Sequence, residues 1–190
     1  MLAKPISNSA HARAAVAGDP ESLHANLTEA ERVRTGALYG REPMAALEFS
    51  LEHSRECCLS IVDDATGVVG MFGIAPFPQW PGAGTIWLTP SERLLRDHKL
   101  IFLQQCPRWI AYMLERYEVA FNLVPEHDET EIRWLKWCGF EFIGTYEKYG
   151  PSLTPHWLFA KARDGEMRRR HERLFEEGPF AAPDPEAIAS

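Results

Sequence analysis

The sequence holds no run of about 18 apolar residues, so none of its helices is expected to span a bilayer. Its first residues, Met-Leu-Ala-Lys-Pro-Ile-Ser-Asn, carry one lysine and no apolar h-region, so a secretory route is not expected. The expectation is a protein made in a cytosol, and the glycosylation sequon at Asn26-Leu27-Thr28 then reads as a chance match. Cysteine is sparse and badly spaced for zinc or redox work. Cys57 and Cys58 are adjacent while Cys106 and Cys138 stand alone, so neither a metal ligand set nor a CxxC pair exists. The seven histidines contain no HxxxH or HExxH pair, so no metal is expected. No GxSxG elbow is present, and Gly82-Ala83-Gly84 precedes a strand and lacks a third glycine, so it reads as a loop and not as a dinucleotide turn. Basic residues are in the minority: 20 Lys and Arg against 27 Asp and Glu leave a net charge of −7, which argues against a nucleic-acid partner.

What is present suits one globular domain. The chain has 190 residues, 45% hydrophobic and 25% charged, close to soluble averages. His11 to Ala17 reads as an edge strand before the turn Gly18-Asp19-Pro20. Thr28 with Glu31 forms a capping box for a helix expected to end near Gly36, and a second helix follows Pro43 with Met44, Leu47 and Leu51 on one face. Cys57 to Val62 and Val68 to Ile74 form a hairpin around Asp63-Asp64-Ala65-Thr66-Gly67, and Thr85 to Leu88 adds a third strand after a loop over residues 77–84. Leu103, Cys106, Ile110, Met113, Leu114 and Tyr117 mark a long helix over 97–117, with a kink or restart expected at Pro107. Val119 to Val124 is a strand. Asp128 with Glu131 opens a short helix bearing Ile132, Leu135 and Cys138, which Gly139-Phe140 closes, and strands over 141–149 and 156–162 follow.

Six tryptophans exceed what a core of this size needs. Trp134 and Trp137, three apart on a short helix, imply that at least one is core or contact. Beyond Asp164 the composition shifts to a tail with the run Arg168-Arg169-Arg170 and a Pro/Ala-rich end. Met167, His171, Leu174 and Phe175 fall on one helical face there, which suits either a docking helix or a solvated one.

The element order resembles the GNAT acetyltransferase superfamily, and Glu131-Ile132-Arg133-Trp134-Leu135-Lys136-Trp137-Cys138-Gly139-Phe140 resembles its closing helix, in particular that of GNAT-like internal virion or morphogenesis proteins of short-tailed phages. Val68 to Pro76, followed by the Gly-rich loop and Ile86-Trp87-Leu88-Thr89, is similar to that phage family as well. The resemblance implies an α+β, GNAT-like acyltransferase fold: a mixed, mostly antiparallel central sheet flanked by helices, with a C-terminal helical tail. The expected division is an N-terminal arm over 1–9, the GNAT-like domain over 10–163 and the tail over 164–190.

The superfamily's cofactor turn, a glycine-rich loop whose N–H groups hold a pyrophosphate, corresponds to Thr89 through His98. That stretch has no glycine and carries Pro90, Glu92 and Asp97. The cofactor-contacting Asn corresponds to Asp128, and the general-acid Tyr to Leu135. These departures imply a non-catalytic, virion-associated structural protein that uses no cofactor and acts with other virion proteins or sister subunits. Trp134, Trp137, Met167, Arg168, Leu174 and Phe175 are its expected interface residues. It would be made in the host cytoplasm and packaged in the virion. The alternative is an acetyl-CoA-dependent N-acetyltransferase with an atypical phosphate loop, in which Arg93, Arg96 and Asp128 would hold the cofactor.

Overall fold

The computed structural model describes residues 10–150 and 153–180. The arm expected over 1–9 and the end of the tail, 181–190, lie outside the described residues. Seven strands form one sheet in the order β1-β2-β3-β4-β5-β7-β6: β1 (Ala10–Ala14), β2 (Cys58–Asp63), β3 (Gly67–Pro76), β4 (Ala83–Pro90), β5 (Val119–Pro125), β6 (Glu141–Tyr149) and β7 (Thr154–Ala162). β1/β2, β2/β3, β5/β7 and β6/β7 pair antiparallel, whereas β4 and β5 are parallel. This is the mixed, mostly antiparallel sheet expected from the sequence. Eight helices accompany it: α1 (Asp19–Asn26), α2 (Glu29–Tyr39), α3 (Pro43–His53), α4 (Glu92–Asp97), α5 (Lys99–Leu114), α6 (Glu129–Trp137), α7 (Gly165–Arg170) and α8 (Glu172–Glu177). None of the helices among the described residues is long and apolar enough to cross a membrane.

Contacts divide the chain into two compact units, Met1–Gly73 with Leu88–Gln105 and Ile74–Trp87 with Cys106–Ser190. In the first, Asp19 is 3% exposed and organises the start of the chain. It accepts both Arg13 guanidinium nitrogens at 2.7 Å, the Val16 N–H at 2.9 Å and the Ser60 hydroxyl at 2.7 Å. Gly18-Asp19-Pro20 is therefore not a bare turn but the start of α1, with Pro20 in its first turn, where a missing N–H costs nothing. The Thr28/Glu31 capping box forms in both directions, at 2.7 and 3.3 Å. The helix it opens does not stop at Gly36. It continues to Tyr39 and ends at Gly40, whose φ is 59°, with Arg41 N–H reaching back to Gly36 O at 3.0 Å; at Gly36 itself a Cβ would lie 2.6 Å from Arg41 O.

In the second unit, the last helix ends as its sequence dictates. Gly139 takes φ 80°, its N–H reaches Lys136 O at 3.0 Å, and Phe140 N–H reaches Leu135 O at 3.1 Å: the two bonds of a Schellman cap. Pro107 lies inside α5 on its exposed side, and the helix continues through it without a restart. The interruption falls instead at His98, between α4 and α5.

The largest departure concerns the tail. Met167 is 7% exposed, Leu174 0% and Phe175 4%. Leu174 and Phe175 pack with Val119, Phe121, Leu158 and Ala160 in one core cluster. The apolar stripe expected to face a partner faces this chain's own strands. Two arginines of the run and a neighbour are likewise committed: Arg170 meets Glu118 at 2.8 Å, Arg168 meets Glu141 at 3.3 Å while lying 3.9 Å over the Phe175 ring, and Arg173 meets Glu177 at 3.1 Å.

Candidate functional site

The turn from β4 into α4 is where an anionic cofactor would have to be held, and three of its N–H groups, those of Ser91, Leu94 and Leu95, already have acceptors in the chain. Pro90 has no N–H. Ser91 is fully buried, its N–H donates to Val69 O at 2.9 Å, and its hydroxyl donates to the same carbonyl at 2.6 Å. The Ser91 oxygens in turn accept from the helix: Oγ from Leu94 N–H and the carbonyl from Leu95 N–H, both at 3.3 Å. The segment is thus a capped, six-residue helix instead of an open nest of N–H groups. Leu94, 1% exposed, lies over the bare face of Gly70, where a Cβ would be 2.9 Å from Leu94 Cδ2. Glu92 places a carboxylate in the first turn, which opposes a second anion there.

Of the two arginines expected at this turn, one is already committed. Arg96 is spent on Asp97 in a two-toothed pair at 2.8 and 3.0 Å, and that guanidinium holds the Asp97 carboxyl below the usual carboxylate range. Arg93 is half-buried on α4. Glu92 and the paired Arg96 disfavour a pyrophosphate at this turn.

Just beyond the turn, His98 Nε2 meets Asp63 Oδ2 at 2.7 Å, with His98 6% and Asp63 8% exposed. Burial alone would raise the Asp63 carboxyl, but N–H groups of Ala65 and Thr66, the Thr66 hydroxyl and His98 outweigh it and hold the group low. His98 Nδ1 is buried with no hydrogen-bond partner. The pair ties the α4–α5 junction to the β2–β3 hairpin.

The strand pair β4/β5 is a second place to look, because its parallel ladder spans only Ala83–Thr85 against Val119–Phe121. At the next step the Asn122 side-chain amide donates to Ile86 O at 2.6 Å, so a side chain substitutes for the ladder bond. Gly82 and Gly84, read as loop, do structural work at the start of β4. Gly82 has φ 84° and its carbonyl accepts Glu118 N–H at 2.7 Å, while a Cβ on Gly84 would meet Ile74 at 2.6 Å and Tyr117 at 2.8 Å.

The remaining expected residues are scattered. Asp128 Oδ1 caps α6 through Glu131 N–H at 2.9 Å, and Leu135 is 2% exposed and carries no proton to give. Trp134 turns inward, its buried indole nitrogen beside the Cys106 thiol, whereas Trp137 is 58% exposed. Tyr146 has its phenol pushed up by burial, and Tyr112 lies beneath the Arg116 guanidinium at 4.7 Å. All four cysteines are buried and outside any disulfide; burial pushes the thiols of Cys58 and Cys106 up to about 12 and that of Cys138 up to about 11, far from a reactive thiolate. Among the described residues no group of three or more His, Cys, Asp or Glu could hold a metal ion. Ser91 was missed in the sequence although Ser followed by an acid is a helix start. The His98–Asp63 and Asn122–Ile86 bonds left no local signal at all.

No protein-family model matches this sequence, and neither does any curated protein. The fold, however, is that of solved GNAT acetyltransferases. A ribosomal-protein-S5-alanine acetyltransferase from Vibrio fischeri superposes with a TM-score of 0.60 at 14% identity, over 83% of this chain and 94% of that one. An acetyltransferase of the GNAT family from Streptococcus pneumoniae gives 0.59 at 15%, over 82% and 99%. Spermidine N-acetyltransferase from Vibrio cholerae, solved with CoA and spermine, gives 0.58 at 12%, over 82% and 96%. At such identities the likeness establishes the fold alone.

Proposed function

We propose that this chain is a GNAT-fold protein that acts through its surfaces and not by acyl transfer, as a virion-associated or head-assembly protein of a short-tailed phage. The observation that carries the first half is the β4–α4 turn, where Ser91 Oγ caps the helix by accepting Leu94 N–H and Glu92 puts a carboxylate in the first turn. The second half is supported by the Trp-Leu-Lys-Trp-Cys-Gly-Phe closing stretch, which leaves Trp137 exposed for a sister subunit or another virion protein. Met167, Leu174 and Phe175, buried in this chain, are not part of that surface. Protein made in the host cytoplasm would be carried into the particle, so mass spectrometry of purified particles should find it at fixed stoichiometry.

A second reading, an acetyl-CoA-dependent N-acetyltransferase, is favoured by the solved neighbours, which are named acetyltransferases, one of them holding CoA. It would need Arg93, Arg96 and Asp128 to hold the cofactor. Acetyl-CoA titrated to millimolar concentration in a thermal-shift or calorimetric assay separates the two. A ligand at 100 times its dissociation constant stabilises by about 2.7 kcal/mol, which is readily seen. We expect no shift; a saturable one would replace the first reading with the second.

A further inference from the structure

The chain leaves α8 through Gly178, whose φ of 81° and ψ of 165° lie in a region that essentially only glycine occupies. A Cβ there would sit 2.6 Å from the Tyr146 hydroxyl and 3.2 Å from Leu158 Cδ2. The next two residues lie on an aromatic surface. Trp80 donates its indole N–H to Pro179 O at 2.8 Å. The Phe180 ring stands edge-on to Phe77 at 6.1 Å and to Tyr146 at 5.4 Å, and lies 6.4 Å from Tyr149. Pro179 is buried, yet Phe180 is 50% exposed. The contrast with α8 is sharp: Leu174 and Phe175 belong to the core, while the tip is attached by one hydrogen bond and by ring edges. A proline whose carbonyl bonds an indole N–H, beside a ring held among aromatic side chains, resembles the way aromatic-lined grooves hold proline-containing peptides.

We propose that Phe77, Trp80, Tyr146 and Tyr149 form a docking surface for a Gly-Pro-aromatic segment of a partner protein, and that residues 178–180 of the chain's own tip occupy it in cis until the partner displaces them. The occupant is identified by the tip itself, which shows what the surface accepts: a glycine able to turn sharply, a proline whose carbonyl meets Trp80, and an aromatic ring among three others. The proposal does not depend on whether acyl-CoA binds.

A cis occupant lowers the apparent affinity for a trans peptide by the fraction of time the surface is open. The test uses the full chain and a fluorescein-labelled peptide of residues 176–182, Glu-Glu-Gly-Pro-Phe-Ala-Ala, read by anisotropy. The full-length Pro179→Ala/Phe180→Ala variant should bind it at least about tenfold more tightly than the parent, because its own tip no longer competes. Adding Trp80→Phe, which removes the indole donor, should weaken that binding by about two- to tenfold. A peptide with both Pro and Phe replaced by Ala should not bind. Gly178→Ala in the full chain, which expels the tip by strain, is the second variant should the first fail to fold. Equal binding to parent and variants, no binding to a folded variant, or an unchanged affinity after Trp80→Phe would each overturn the proposal. So would a parent that dimerises through the tip, which would make a second copy the occupant.

Discussion

Replacing Leu174 by alanine tests whether the C-terminal helices are core or appendage. Leu174 is fully buried among Val119, Phe121, Leu158 and Ala160, on strands whose ladders prevent them from closing over a void. Buried Leu→Ala changes cost about 2–5 kcal/mol, the transfer of the lost methyls plus the cavity they leave, and a sheet-lined site that cannot collapse belongs in the middle to upper part of that range. At about 3–4 kcal/mol, and about 2–4 °C per kcal/mol for a chain of this size, the melting temperature should fall by about 6–16 °C. Differential scanning fluorimetry with a urea titration measures it. Leu174→Met, which conserves volume, should cost under about 1.5 kcal/mol, and Trp137→Ala, on the exposed side of α6, should stay within about 0.5 kcal/mol. A Leu174→Ala protein that melts with its parent would refute the packing and return the segment to the role of a free tail.

Gly139→Val should destabilise the protein more than Gly139→Asn, since the φ of 80° disfavours a β-branched residue while asparagine tolerates it; the Lys161 ammonium near the new Cβ is the flexible end of a side chain and can move. Equal melting of both with the parent would mean the Schellman cap is absent. Ser91→Ala should cost about 1 kcal/mol in chemical denaturation from the lost cap, and a neutral result would remove the argument that the turn is held shut. Stability should also fall in acid. Burial would raise the Asp19 carboxyl, but Arg13, Val16 N–H and Ser60 hold it below its unfolded value, so its contribution is present above about pH 4 and lost as the pH falls through the folded value. Asp19→Asn should therefore lower the urea midpoint at pH 7 and flatten its decline below pH 4; a parallel decline in both proteins would contradict this.

The strands, the Thr28/Glu31 and Asp128/Glu131 caps and the Gly139 helix end were legible in the sequence because each rests on residues within a turn or two of one another. Periodicity likewise announced that residues 167–175 carry an apolar face. It could not say which surface takes that face, since a helix reads the same whether it packs on its own sheet or on another chain; only the core around Phe121 and Leu158 decided it. The same limit hid the chemistry of the site. The absence of glycine over residues 89–98 showed that a usual phosphate turn was missing, but what stands there depends on Ser91 meeting Val69, Leu94 covering Gly70 and His98 meeting Asp63. Those bonds join residues some 20 to 35 positions apart. Their geometry comes from the register of β2 and β3 and from the closing of the sheet, and local sequence carries neither.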